Sequence, residues 1–395
     1  YGHGMAKVAG AINQHIDFFG VARIPEALEL RENQCNKPIV VMSELLYAIK
    51  IKKHENEMSS YGVVFSDKSD IPNHKIIPTN DLKLARSLSD GISSFVLYKN
   101  SSLIGVVIIP FIINSELDLV RLKKTYNGLI IQREIGGIVK VLQENEIVIH
   151  EHRIWQIKPS VTSVVDKIHR CVPKINDEIL LNILNFSFHQ LSPQNIGASI
   201  IWCLEEPSEN EFNKMIPSRD LADLNISIND SSLLELLKHI LSGTDGATLV
   251  DPDGNILGTE AHLVYSDQSK KLINQTKGTR HTSARRFSYD VAKVLAFTIS
   301  EDGPVTVFSD GVDIVNLDIF SAEDASIRIR RDAHEAGTDA ATQANFDVVQ
   351  CGNCHKKIEI EELVIYGWKS NESTTCPVCN NEVYTSRCYQ LEAYV

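Results

Sequence analysis

The chain has 395 residues, 43% of them hydrophobic and 23% charged, and 39 basic against 51 acidic side chains leave a formal charge of −12. That length predicts two or three domains, since single domains seldom exceed ~250 residues, and the acidic balance argues against a chain that binds polyanions over its whole surface. A phosphate-rich ligand must be held by a local basic site. The longest apolar stretch, Leu103 to Ile113, is broken by Gly105 and Pro110 and is shorter than the roughly 20 residues that span a bilayer. With no signal-peptide pattern either, the sequence reads as a cytoplasmic protein with no membrane association. Tyr1-Gly2-His3-Gly4 precedes Met5 and reads as an expression remnant, residues 1–4. Cys35, Cys171, Cys203 and Cys388 are scattered and are expected to be reduced packing or surface thiols.

Residues 5–159 read as a self-contained α/β unit, and their place ahead of the chemistry-bearing segment suits a sensor-like domain. Helices are predicted near Ser43 to Lys52 and Thr79 to Leu88. Ser94 to Tyr98 and Leu103 to Pro110 read as strands joined at Lys99-Asn100-Ser101-Ser102, and Gly137 to Val141 with Glu146 to His150 as a hairpin through Gln143-Glu144-Asn145. His150-Glu151-His152 places two imidazoles on one strand face without a third ligand, so it reads as a polar strand end.

Residues 160–176 read as a helix and connector, and 177–322 as a second α/β unit. Asp177 to Leu191 carries Ile179, Leu180, Ile183, Leu184, Phe186 and Phe188, the pattern of a largely buried helix stopped by Ser192-Pro193. Gly197 to Leu204 reads as a buried strand, and Asp230 to Leu241 as an amphipathic helix capped by Asp230 or Ser231. Ala247 to Val250 and Asn255 to Leu257 flank the turn Asp251-Pro252-Asp253-Gly254, and Val294 to Ser300 and Val305 to Phe308 flank Glu301-Asp302-Gly303-Pro304. The expected core is a sheet flanked by helices.

Two motifs bring reactive groups into this unit. Asp245-Gly246-Ala247 supplies an acid on a Gly-loosened backbone. Gly278-Thr279-Arg280-His281, leading into Ser283-Ala284-Arg285-Arg286 after the loop Ser266 to Lys277, supplies a hydroxyl, a guanidinium and an imidazole at a helix start, where open N–H groups favour anions. Taken singly, Asp-Gly is a common turn and Arg-His a basic helix start. Together with Asn195-Ile196-Gly197-Ala198-Ser199-Ile200-Ile201, Gly254-Asn255-Ile256-Leu257 and Phe297-Thr298-Ile299-Ser300-Glu301, they make five blocks between about Ile179 and Phe320 in the order of the diadenylate cyclase domain of the DisA family, which this segment resembles.

The resemblance implies an α/β fold with a central mixed β-sheet flanked by helices, and condensation of two ATP molecules into cyclic di-AMP and two pyrophosphates. It implies a catalytic Mg²⁺ or Mn²⁺ and a head-to-head homodimer or higher homo-oligomer, because a two-fold product takes one ATP from each subunit. Catalysis would fall to Asp245, Gly246, Arg280, His281 and Glu301, and nucleotide binding to Ala247, Leu263, Gly278, Thr279, Thr282 and Ser283, with Asp245, His281 and Glu301 on the divalent ion. One position departs. Thr282 stands where the family has Arg, with Arg285 or Arg286 about one turn on as replacement charge without the same geometry.

Residues 323–349 are polar and alanine-rich, with Arg328, Arg330 and Arg331 against Asp332 and Glu335, and read as a linker or solvated helix. In residues 350–395, Cys351-x-x-Cys354 and Cys376-x-x-Cys379 are separated by 21 residues, the pattern of a structural Zn²⁺ held by four thiolates. Ile358, Ile360, Leu363, Val364 and Ile365, with Val383 and Tyr384, would form the sheet of a small zinc-ribbon β module that depends on its metal to fold. Lys356, Lys357, Lys369 and Arg387 are offset by Glu359, Glu361, Glu362 and Glu372, so a nucleic-acid or protein partner there is a secondary expectation. Two other readings stay open: a catalytically silent ATP or cyclic-dinucleotide sensor, suggested by Thr282, and an interaction scaffold acting through the ribbon.

Overall fold

Runs of adjacent apolar residues with no polar alternation demand a sheet covered on both faces, and this is how the N-terminal part folds. The computed structural model describes residues 19–21, 39–51, 60–66, 74–99, 102–143, 146–152, 154–172, 174–273, 278–321, 342–365, 372–386 and 390–394. Outside them lie residues 1–4, Cys35, the turn residues Asn100, Ser101, Glu144 and Asn145, the loop 274–277, most of the 323–349 segment, Lys369, Arg387 and Cys388. The chain divides into two units, residues 1–158 and 159–395.

In the first unit, β1 (Phe19–Val21) and β2 (Ile39–Val41) pair in parallel. The main sheet contains β3 (Tyr61–Ser66), β4 (Lys75–Pro78), β5 (Ser94–Lys99), β6 (Ser102–Ile108), β7 (Gly128–Arg133), β8 (Val139–Leu142), β9 (Glu146–Glu151) and β10 (Ile154–Pro159). Their order is β10-β9-β8-β7-β3-β5-β6-β4, with β3 and β5 parallel. Neighbouring residues point to opposite faces. Val64, Phe95, Val107 and Ile130 meet Leu119, Leu122 and Tyr126 of the Glu116–Tyr126 helix, while Val63, Val96, Val106 and Ile131 pack with Ala48 and Ala85 on the other side. That helix starts with a Ser115–Asp118 capping box and stops at Asn127, whose φ is 47°. His150 packs against Trp155, ring centroids 4.5 Å apart, and joins no metal-ligating cluster among the described residues.

The second unit opens with the helix Asp177–Asn185, capped by Asn176, which runs on as a π-helical segment Phe186–Leu191. Ile179, Leu180, Ile183, Leu184, Phe186 and Phe188 are buried, and Ser192-Pro193-Gln194 ends it. The sheet comprises β11 (Ala198–Cys203), β12 (Arg219–Asp220), β13 (Ala247–Val250), β14 (Ile256–Ala261), β15 (Val294–Ile299), β16 (Val305–Ser309) and β17 (Val312–Leu317). The order is β12-β14-β13-β11-β15-β16-β17, and only the β11–β13 pair is parallel. The helix Thr279–Asp290 seats Ala284 and Phe287 against Ile201, Leu249 and Ala296. A mixed sheet flanked by helices is therefore present. The Asp230–Leu241 helix is shorter than expected: it spans Leu234–Ser242 with no side-chain cap, because the Asp230 carboxylate is occupied by the backbone N–H and hydroxyl of Ser232 in the preceding turn.

After β18 (Phe320–Ser321), the end of the expected linker is a strand instead. β19 (Thr342–Gln350) pairs antiparallel with β20 (Lys357–Ile365), in register Gln350↔Lys357, and β20 pairs with β23 (Gln390–Tyr394). The polar composition of 342–350 hid this strand, whose ladder is set by a partner beyond the first cysteine pair. β21 (Glu372–Thr375) and β22 (Glu382–Ser386) form a hairpin around the second pair.

Candidate functional site

The pairing of the central strands gathers three loops at one edge of the second sheet. Ser199 lies opposite Ala247, and Ala198 opposite Ile299, so Gly197, Asp245-Gly246 and Ser300-Glu301 emerge side by side. The Thr279–Asp290 helix starts beside them. Its cap residue Gly278 has φ 93° and offers no side chain to the first N–H groups, which leaves the helix start open to an anion.

Two clefts meet at Asp245. The first, about 530 Å³, is lined by Asp245, Gly246, Ala247, Leu263, Thr279, Arg280 and Ser283, together with Ser199, Ala261, His262, Tyr265 and Lys270. The second, about 1340 Å³, is lined by Asp245, Gly278, Thr279, Arg280, His281 and Glu301, and extends to Arg285, Thr306, Phe308 and Asp313. Cations and apolar walls thus share the first cleft with one acid, while carboxylates crowd the second.

Asp245 is exposed, and its Oδ1 accepts the N–H of Gly246 at 2.9 Å. Gly246 has φ 95°, and a Cβ there would lie 2.9 to 3.0 Å from the backbone of Glu260 and Ala261; the fold itself needs a glycine at this position. Arg280 Nη1 donates to Glu301 Oε1 at 3.0 Å, and a Cβ on Gly197 would come within 2.3 Å of that guanidinium. His281 is half-buried, with Nε2 3.3 Å from Thr306 Oγ1 and its ring edge-on to Phe308. Burial lowers its pKa and so favours the neutral imidazole, the form that can ligate a metal. Leu263 is buried just beyond the end of β14.

Thr282 is the residue the fold keeps apart from these groups. It is buried, lines neither cleft, and its hydroxyl donates back to Gly278 O at 2.9 Å. The two arginines beyond it do not restore a cation in the first cleft: Arg286 donates to Ile273 O at 3.0 and 3.2 Å, and Arg285 to Gly311 O at 2.6 Å. Lys270 does line that cleft, on the short helix Asp267–Leu272. The sequence reading takes this stretch as a loop; Ser266, whose side chain accepts from Ser269 N, is the cap signal for the helix.

The four cysteines of the C-terminal module fit a metal closely. Their sulfurs all lie within 4.8 Å of one another, with Cys351–Cys379 at 3.5 Å and Cys354–Cys376 at 3.6 Å. A tetrahedron of sulfurs about 2.3 Å from a zinc ion has edges of about 3.8 Å. The two turns repeat each other: Cys351 N bonds Lys356 O and His355 N bonds Cys351 O, as Cys376 N bonds Asn381 O and Asn380 N bonds Cys376 O. His355 and Asn380 both adopt positive φ, 58° and 60°. Asp245, His281 and Glu301, by contrast, share a cleft wall without converging; among the described residues the cysteines alone form a set of three or more close ligand atoms.

Residues 185–312 match the family model described as DAC, DisA bacterial checkpoint controller nucleotide-binding. Residues 26–159 match the model described as Probable sensor domain DACNK. Among solved structures, a double-cysteine mutant of DacA from Staphylococcus aureus is 21% identical and covers 40% of this chain and 95% of its own, with a TM-score of 0.26; so low a score carries no argument. Alanine racemases of Haemophilus influenzae and Pasteurella multocida are 52% and 50% identical over 42 residues, which is 11% of this chain and 12% of each racemase. The chain spans about 12% of those relatives.

Proposed function

We propose that this chain, which carries a DisA-type nucleotide-binding domain and a DACNK sensor-type domain ahead of it, is a diadenylate cyclase that joins two ATP molecules into cyclic di-AMP and two pyrophosphates. The observation that carries the reading is the first cleft, where Asp245-Gly246 faces Thr279, Arg280 and Ser283 across a space of about 530 Å³.

The adenine would lie against Ala261 and Leu263, the ribose beside Asp245-Gly246, and the triphosphate along Lys270, Arg280 and the open start of the Thr279–Asp290 helix. Each 3′-hydroxyl oxygen bonds to the α-phosphorus of the other ATP as the bond to pyrophosphate breaks. Asp245 receives the hydroxyl proton or passes it to water, and the helix N–H groups, Thr279, Ser283 and Arg280 balance charge on the departing pyrophosphate. Asp245, with His281 or Glu301 and the phosphates, would hold the Mg²⁺ or Mn²⁺, which supplies charge neutralisation and a more acidic hydroxyl. One chain positions one ATP, so two chains must face each other at Asp245. In this reading residues 177–322 are the cyclase, 160–176 its connector, 5–159 the sensor and 350–395 a zinc-bound module, and the protein works in the cytoplasm. No helix among the described residues is long and apolar enough to cross a membrane.

The test is purified protein with ATP and Mg²⁺ or Mn²⁺, products resolved by mass spectrometry, beside Asp245→Asn. Cyclic di-AMP is expected from the wild type, with at least a ~100-fold loss in the variant, the usual scale for removing a general base. Thr282, buried and bonded to its own helix, favours a second reading, a silent ATP sensor; ATP binding without product at every metal and protein concentration would select it.

A further inference from the structure

The cysteine module packs onto the far side of the helix that opens the cleft. Ile273 and Tyr289 share one apolar cluster with Cys351, Ile358, Ile360 and Cys376. Polar contacts come from Lys356, just ahead of β20, and from Lys357 and Glu359 near its start. Lys356 Nζ donates to the backbone oxygen of Tyr289 and lies 4.0 Å from its ring centroid. Lys357, almost wholly buried, donates to Ser309 Oγ at 2.6 Å and sits 3.2 Å from Asp310. Glu359 accepts the Asp313 N–H at 2.6 Å and reaches Arg285 Nη2 at 3.4 Å.

These contacts reach the site. Arg285 and Tyr289 lie one turn apart on the module's face of the helix, and Thr279, Arg280 and Ser283 on the cleft's face. Arg285 and Asp313, both held by Glu359, also line the second cleft with Asp245 and Arg280. Ile273, which receives Arg286 on its carbonyl, stands five residues ahead of Gly278, with residues 274–277 between them. The helix start is therefore fixed from behind by a module whose own fold depends on four sulfurs converging on a metal.

We infer that the metal-loaded cysteine module positions the Thr279–Asp290 helix for nucleotide, with Lys357 and Glu359 as positioning residues, so that metal binding at the four cysteines and nucleotide binding in the cleft strengthen each other. The inference rests on the nucleotide reading of the cleft. Coupling between two sites is reciprocal, which gives a readout other than activity.

The full chain is loaded with zinc and challenged with a chromogenic chelator, with and without a non-hydrolysable ATP analogue and excess Mg²⁺. Bound analogue is expected to slow zinc release at least threefold in the wild type, but not in Arg280→Ala, which controls for chelation by the analogue itself. In Glu359→Gln, which keeps all four cysteines, the slowing shrinks and analogue affinity falls by a similar factor; Lys357→Met is the second variant. Equal release rates in a wild-type protein that binds the analogue overturn the inference. A wild type that binds no analogue sinks the nucleotide reading instead, and hydrogen exchange then decides the brace: amides at 279–290 must exchange faster once zinc is removed, and unchanged exchange overturns it.

Discussion

Two glycines at the cleft separate stability from binding. At Gly246 an alanine would have to adopt φ 95° and crowd backbone atoms of β14 that cannot swing away, a strain of about 1–3 kcal/mol. Gly246→Ala should lower the melting temperature measurably. At Gly197 the crowded atoms are the ends of Arg280 and Glu301, a half-exposed pair whose net contribution to stability is about 0–1 kcal/mol. Gly197→Ala should leave the melting temperature nearly unchanged while displacing Arg280, and ATP affinity by calorimetry should fall about tenfold, the scale of one charge-assisted hydrogen bond. An unchanged affinity would remove Arg280 from the binding site. Asp245 and Thr279 to His281 could be read in the sequence because a glycine beside an acid and a glycine before a basic helix start are local signals. Lys270 and Tyr265 could not, since only the path of the chain after β14 turns them toward the same cleft. Nor could the orientation of Thr282, which is decided by the side of the helix that buries Ala284 and Phe287.

At the scale of elements, the module meets the β16–β17 hairpin through an acid held in an unusual state. Burial first, and the Glu359 charge second, push the Asp313 carboxyl up from 3.8 to about 7, against the smaller pull of Arg285 and Lys167. A carboxyl whose folded pKa is raised binds its proton more tightly in the folded chain, so its contribution to stability is present below about pH 4 and is lost as pH rises through about 7. Asp313→Asn should flatten that part of the profile, gaining on the wild type as pH is raised from 5 to 8 in thermal melts; parallel profiles would show that Asp313 is not the titrating group. Elements with a strong local pattern were legible: the strand carrying Phe95-Val96 and the Asp177–Asn185 helix each follow from it. The strand 342–350 was not, because Gln343, Asn345, Asp347 and Gln350 break up its apolar residues and its place comes from pairing with β20.

For the molecule as a whole, the proposed reaction, in which two chains each hold one ATP, would tie activity to association. Product formed per unit of protein should fall on dilution below the dimer dissociation constant, while ATP bound per chain stays constant; activity per chain that is independent of concentration would argue against a site shared between subunits. The seating of the cysteine module on the Thr279–Asp290 helix is a long-range arrangement that no local pattern encodes. That seating also has a timetable. Lys356 follows its partner Tyr289 by 67 residues, so at ~5–20 residues per second of synthesis a growing chain carries the helix for roughly 3–13 s before the ribosome has made the residues that hold it. Metal capture, which needs Cys376 and Cys379, would then come later still, and a polypeptide interrupted before Lys356 would be left with the cleft residues in place and nothing behind them.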